Sequence, residues 1–556
     1  MLASAPERGT VSSVHHRIVS SRLPALACAL AGLLALTACS SSDASTPAPD
    51  RTDTAATEAA TTDAETNTDA ATTGAGTGAA TTPTPTATAE RFDTGTFTGT
   101  DLWVDPAAGD DANDGSSRDA ALRTVDAAWQ RIPSGEELTT GYRILLAPGT
   151  YPVDGSVNYW EDRHGTAEAP IVLEAADGPH TAVFQADLNV FDVSWFFVLG
   201  VDVIREGDAF HCEQCDHIVL RDVELDGGAG AHETVKVNQS QHIYIEGADI
   251  HGADDNAIDF VAVQHGHVID SEIHDAADWC MYTKGGSADI VIAGNDVHDC
   301  GTGGISAGQG TGFEFMTTPW LQYEAYGIQI VDNVIHGVEG AGLGVNGGYA
   351  VLLAHNTLYA TGARSHVVEF VLGRRGCDGD AERCTANHDA GGWGFAGGEE
   401  QYIPNRHVWF YDNLIVNPDG APSQWQHFQI GGPVDPPAES GVPSPAVADD
   451  DVRIVGNVIW NGPADHPLGT GDGCTDDNPT CSAAQITAEN TVNTVRPELI
   501  DPEAGDFRLT DASRAALPAA IDIPELVWDL PADWGIPAGA TAPLPASDPT
   551  VVGAGL

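Results

Sequence analysis

Between His232 and Gly286 lie the only two lysines of the chain, Lys236 and Lys284, together with Glu233, Asp254, Asp255, Asp259 and Tyr282. These residue types suit one kind of reaction. Cleaving a uronic-acid sugar by β-elimination needs a base to take the proton beside the carboxylate, and a cation to acidify that proton. Clustered Asp and Glu can supply the oxygens that calcium takes. A nearby divalent ion disfavours an ammonium and draws a lysine down from about 10.4, whereas Arg gives up its proton far less readily. Lysine is therefore informative in a chain that otherwise uses Arg. Lys236 is a second base, or a binder of a substrate carboxylate. A plainer reading is also open, with Lys236 and Asp259 as a cross-coil ion pair and Asp254 and Asp255 as turn residues.

Charge narrows the partners. The 556 residues carry 23 Lys and Arg against 81 Asp and Glu, a formal net charge of −58. Such a surface repels phosphate backbones and excludes nucleic acid as a partner. An anionic polysaccharide is repelled too, unless a bound cation or local Arg and Lys offset the charge. Of the ten cysteines, Cys28 and Cys39 fall in an export segment. The other eight fall as Cys212/Cys215, Cys280/Cys300, Cys377/Cys384 and Cys474/Cys481, which read as local disulfides of an exported chain. Cys212-x-x-Cys215, flanked by His211 and His217, is also half of a zinc pattern, but no second half of matching spacing follows.

Residues 1–38 read as a signal peptide, with Arg8, Arg17 and Arg22 before an apolar run from Leu23 to Leu36. The ending Leu36-Thr37-Ala38-Cys39 resembles the lipobox of bacterial lipoproteins. The resemblance implies a lipid on Cys39 as the only membrane contact, and a chain anchored at the cell surface or periplasmic face. Residues 39–98, rich in Thr, Ala and Asp, lack the large apolar side chains needed to fold and read as a tether. Residues 99–192 then read as a cap and first coils. A strand at Leu102-Trp-Val-Asp-Pro106 precedes the Asp-rich 109–115, which suits turns or calcium, and a helix over 122–131 has Thr124 as its N-cap. With Tyr142–Tyr151 following, this order resembles the N-terminal cap of right-handed β-helix proteins of the pectate-lyase superfamily.

From Phe196 a nonamer recurs: FFVLGVDVI, HIVLRDVEL at His217, HIYIEGADI at His242, HGHVIDSEI at His265, DIVIAGNDV at Asp289, then GIQIVDNVI, AVLLAHNTL, HVWFYDNLI and DVRIVGNVI. A period near two dozen residues with β-branched alternation predicts one solenoid coil per repeat and an all-β parallel β-helix over 193–520. Residues 521–556 read as a capping tail. Each nonamer follows another short strand, and these stack at about 4.8 Å into one sheet. Period 2 turns Val235, Val237, Ile258 and Phe260 inward, and Lys236, Asp259, Tyr282, Ser306 and Glu369 outward, with Lys284 one pleat further along. The long spacings come from insertions Gly308–Ala325, Leu372–Asn405 and Pro433–Asp450, all at one corner. They carry Trp320, Arg374, Arg375 and Trp393, which with Arg364 and Glu369 are expected to bind sugar rings and carboxylates. His251, His274, His298 and His336 follow their nonamers directly and are expected to stack as a structural column, with metal binding as the other possibility.

Asp254-Asp-Asn-Ala-Ile-Asp259 resembles the calcium-dependent pectate lyases of polysaccharide lyase family 9. The resemblance implies Glu233, Asp254, Asp255 and Asp259 as calcium ligands and Lys284, within Tyr282-Thr-Lys-Gly-Gly286, as the base, assisted by Tyr282 or a loop Arg. Here the last Asp sits one residue further on, the first ligand is Glu, and the coil before Lys284 lacks an insertion. The implied activity is a calcium-dependent, monomeric lyase of a uronic-acid polymer. A glycoside hydrolase or epimerase using Asp259 and Glu233, or a non-catalytic glycan- or protein-binding module, remains open.

Overall fold

The computed structural model describes residues 89–396, 400–536, 540–541 and 543–554. The signal peptide, Cys39 and the tether as far as residue 88 lie outside the described residues. The end of the tether packs: Phe92 stacks on Tyr244 at 4.3 Å, its N–H meets Glu246, and Arg91 pairs with Asp222.

The body is a parallel β-helix. Strands pair in parallel from coil to coil, from Gly99–Val104 against Gly141–Leu146 to Val458–Asn461 against Thr491–Val492. Helix α1 (Val125–Trp129) closes the first coils. Thr124 accepts from the Ala127 N–H as its N-cap, and Trp129 packs edge-on against Trp160. In the loop at 109–115, Asp111 accepts from the N–H groups of Arg123 and Thr124, and Asp110 from that of Ala112. These carboxylates are turn-formers here.

Each nonamer is two strands with a bend rather than one. Its first bend is a left-handed residue at His217, His242, His265, Asp289, Gly327, Ala350, His407 and Asp451, with φ between 56° and 60°. A second follows at Asp222, Gly247, Asp270, Gly294, Asp332, His355, Asp412 and Gly456. Asp, His and Gly tolerate that conformation best, which is why they punctuate the repeat. Between the bends, Ile218, Leu220, Val223 and Leu225 and their equivalents fill the core.

A ladder of asparagines, unforeseen from the sequence, joins six coils from inside. Asn295, Asn333, Asn356, Asn413 and Asn457 each pass an amide N–H to the side-chain carbonyl of the next, at 2.8–3.0 Å, and the run ends on Asn490. Helix α3 (Ala483–Glu489) sends Ile486 into the core at the far end. Residues expected to form the last coil, Leu499–Asp501 and Asp506–Leu509, instead pair as an antiparallel hairpin, and Phe507 packs on His336 and Tyr359. Leu526, Trp528, Leu530 and Ile536 cover an outward apolar flank at Tyr349, Leu352 and Trp409, which would otherwise face water.

Candidate functional site

The sheet that carries the site comprises β1 (Phe210–Glu213), β2 (Glu224–Asn238), β3 (Asp249–Val261), β4 (Trp279–Lys284), β5 (Gly303–Ala307), β6 (Ala341–Asn346), β7 (Val368–Val371) and β8 (Phe428–Ile430). Its register places His211, Lys236, Asp259, Tyr282, Ser306, Gly344, Glu369 and Gln429 in one column. Lys284 pairs with Val261 and, through it, shares the next outward column with Asn238. Val235, Val237, Ile258 and Phe260 are fully buried on the other face.

Alternation alone thus brings both lysines to one carboxylate oxygen. Lys236 Nζ lies 3.5 Å and Lys284 Nζ 3.9 Å from Asp259 Oδ2. Lys236 also donates to Glu233 Oε1 at 2.7 Å. Lys284 donates to the Tyr282 hydroxyl at 2.9 Å and faces Gln309 Oε1 at 3.5 Å. The Tyr282 hydroxyl accepts a second bond, from Asn256 Nδ2 at 2.8 Å. His232 touches Glu233 Oε2 at 2.7 Å and Asp255 Oδ2 at 3.4 Å.

Charges follow from these contacts. Burial opposes the Lys236 ammonium, but Asp259 and Glu233 outweigh it and hold it above the ordinary lysine value. Burial likewise works against Glu233, yet Lys236 and His232 bring it below the usual range. Asp259 goes the other way, raised by burial against the pull of both lysines. Burial and neighbouring Asp278 push Asp255 up to about 6. Tyr282 is buried among carboxylates and held well above 10, so it is a protonated phenol. Lys284 differs from Lys236 in its nearest partners, which are the neutral oxygens of Tyr282 and Gln309, with Asp259 Oδ2 further off.

The expected calcium ligands were tested against this geometry. Glu233 and Asp259 converge, but on the Lys236 ammonium. Asp255 reaches the cluster through His232, and Asp254 is exposed. Asp259 Oδ1 is buried without a hydrogen-bond partner, but the other oxygens of Glu233 and Asp259 face Lys236 and His232 and not a shared open point for the six to eight contacts that calcium takes. The set as placed does not fit a calcium ion.

The three insertions do rise from one corner. Gly310–Gly312 pairs with Gly373–Gly376, and that strand with Gln401–Ile403, giving the loops a small sheet of their own. Helix α2 (Ala381–Asp389) is tied to it by Cys377–Cys384. Their expected substrate residues divide. Arg374 is exposed, paired with Glu400 beside the Tyr402 ring. Arg375 is fully buried, ion-paired to Glu324 and donating to the carbonyls of Leu321 and Trp393. It cannot reach a ligand. Trp393 is buried against Tyr323 and Trp534, and Trp320 is half-buried against Tyr326. Both pack the loops. Arg364 pairs with Glu339 and the Gly301 carbonyl, away from that corner. Glu369 lies in the site column, bonded to Asn346 and raised by burial.

Two contributors went unrecognised in the sequence. Glu324 is fully buried and receives the Gly285 N–H at 3.0 Å, so the Arg375–Glu324 pair anchors the turn that follows Lys284. Trp279, buried beside Tyr282, lies flat over Gly303, where a Cβ would come within 2.3 Å of its ring. Neither sits in a motif, though the glycine is the trace a close ring leaves.

All eight cysteines of the body are paired as Cys212–Cys215, Cys280–Cys300, Cys377–Cys384 and Cys474–Cys481, which removes the zinc reading of the first pair. The histidine column stacks as expected, with centroids 4.7–4.8 Å apart from His251 to His336. His274 and His298 each have both ring nitrogens against carboxylates.

The family description "right handed beta helix region" matches residues 208–372, the span of β1 to β7. The coil is right-handed. No curated protein matches the sequence. Solved structures similar to this chain include pectate lyase Pel9A, at 14% identity over 78% of this chain and 95% of that one, with a TM-score of 0.42. A rhamnogalacturonan lyase aligns at 13% over 59% and 84%, TM-score 0.39. The A-module of the Azotobacter vinelandii mannuronan C-5 epimerase AlgE4 aligns at 12% over 64% and 94%, TM-score 0.40.

Proposed function

We propose that this protein is a polysaccharide lyase that cleaves a uronic-acid polymer by β-elimination, with Lys284 as the base. The observation that carries the reading is the convergence of the chain's two lysines on Asp259 beside a buried, protonated phenol. Lys284, as the amine, takes the proton from the carbon beside the substrate carboxylate. The freed electron pair forms the carbon–carbon double bond as the glycosidic C–O bond breaks. The leaving oxygen receives a proton from the Tyr282 hydroxyl, which Lys284 then reprotonates, so the proton count closes. Lys236, His232 and exposed Arg374 supply the local positive charge that an anionic polymer needs against a net charge of −58.

A carboxylate-pair hydrolase is less well supported. Glu233 and Asp259 both engage the Lys236 ammonium, which would have to be displaced before either served as acid or nucleophile. The four disulfides accord with an oxidising, extracytoplasmic setting. Among the described residues no helix is long and apolar enough to cross a membrane. Anchoring through a lipid on Cys39, and action as a monomer, belong to the same proposal. Incubation with a panel of polyuronates, read by ultraviolet absorbance, is expected to give unsaturated ends that Lys284→Ala reduces at least about 1,000-fold. Undiminished turnover in Lys284→Ala sinks the assignment.

A further inference from the structure

We infer that Lys236 serves as a built-in cation at this site, taking the substrate carboxylate that a divalent ion would otherwise neutralise, so that the reaction needs no added metal. The inference rests on the lyase reading above. Three observations carry it. Lys236 Nζ occupies the point on which Glu233 and Asp259 converge, 2.7 and 3.5 Å from their oxygens. An ammonium has three N–H donors, and these two carboxylates account for two. The Lys236 side chain remains a quarter exposed while Glu233 and Asp259 are almost wholly buried, so Lys236 is the member of the trio that reaches solvent.

The two carboxylates hold the ammonium in place, as a fixed cation requires. Lys284, one pleat away, has the neutral oxygens of Tyr282 and Gln309 as its nearest partners. The chain thus divides between two lysines the tasks that metal-dependent elimination gives to a cation and a base. A calcium ion could enter between Glu233 and Asp259 only by displacing the Lys236 ammonium, since both need the same oxygens.

The test begins without turnover. Thermal melts of the wild-type protein across a calcium titration are expected to show no saturable shift. In Lys236→Met, Glu233 and Asp259 lose their cation, and calcium is then expected to raise the melting temperature saturably. Wild-type activity on the best polyuronate is expected to survive EDTA, and Lys236→Met to lower kcat/KM about 100-fold. A saturable calcium shift in the wild-type protein, or activity abolished by EDTA and restored by calcium, overturns the inference even if Lys236→Met fails to fold. If no polyuronate is cleaved, the lyase reading fails by itself, while the calcium melts still decide what fills the site.

Discussion

Tyr282 shows how much of this site depends on a single buried oxygen. Its hydroxyl accepts from Lys284 at 2.9 Å and from Asn256 at 2.8 Å, so its own hydrogen is left to donate. Tyr282→Phe keeps the ring beside Trp279 but removes the proton relay. The expected result is a kcat about 100-fold lower with KM nearly unchanged, because the phenol is used in proton transfer rather than in holding the polymer. The variant should also lose about 1–3 kcal/mol, since Asn256 Nδ2 is left buried without an acceptor. Steady-state kinetics and a thermal melt check both parts. A kcat at the wild-type level alongside lowered stability would reduce Tyr282 to a packing residue and return the proton transfer to Lys284 alone.

At the scale of elements, the Asn ladder sets the stack that gives the site its register. Asn356 sits in its middle, with the N–H of Asn333, the amide of Asn333 and the carbonyl of Ile330 as partners on one side and Asn413 on the other. Asn356→Ala leaves several buried groups unpaired, and a loss of about 3–5 kcal/mol is expected in denaturant unfolding. Asn490→Ala, at the ladder's end where side chains are partly exposed, should cost less than half as much. Equal losses would mean that the ladder does not act cooperatively. The same elements explain what was legible beforehand. Period-2 strands announce which side chains face out, so the Lys236, Asp259 and Tyr282 column and the neighbouring Lys284 column could be read from spacing alone. The insertions follow no period. Whether Arg375 faced a ligand or Glu324 depended on a partner 51 residues away, and nothing local encodes that. The expected calcium set meets a related obstacle. Glu233 and Asp259 were correctly placed near each other, but the residue between them is the outward neighbour of Asp259 in the register, Lys236, which takes both.

Across the whole molecule, pH tests whether these buried charges stand as described. Groups whose folded values are raised shape the response around and above neutral pH. The bonds from Asp249 and Asp275, set against burial, raise His274 to about 9, and burial raises Asp412 to about 7. A group whose folded value is raised contributes stability that is complete below its unfolded value and lost as pH climbs through the folded one. The His274 contribution is therefore whole below about 6.5 and gone above about 9. Below 6.5 the balance changes. Burial lowers His366 and His427 to about 4, so these resist the charge that the unfolded chain accepts, and stability falls as pH drops from 6.5 towards 4. Asp255 and Asp332, raised to about 6, and Asp412 oppose that loss across the same window, while Glu233 and Glu246, held below their usual range, add to it only as pH drops below 4.5. The melting temperature should therefore decline from about pH 6.5 towards pH 9 and, on the acid side, fall as pH drops below 4.5. His274→Gln should flatten the alkaline limb and leave the acid limb in place. A melting temperature that rises steadily from pH 6.5 to 9 in the wild-type protein would show that the histidine column carries no protons at its centre, and that its stacking is of neutral rings.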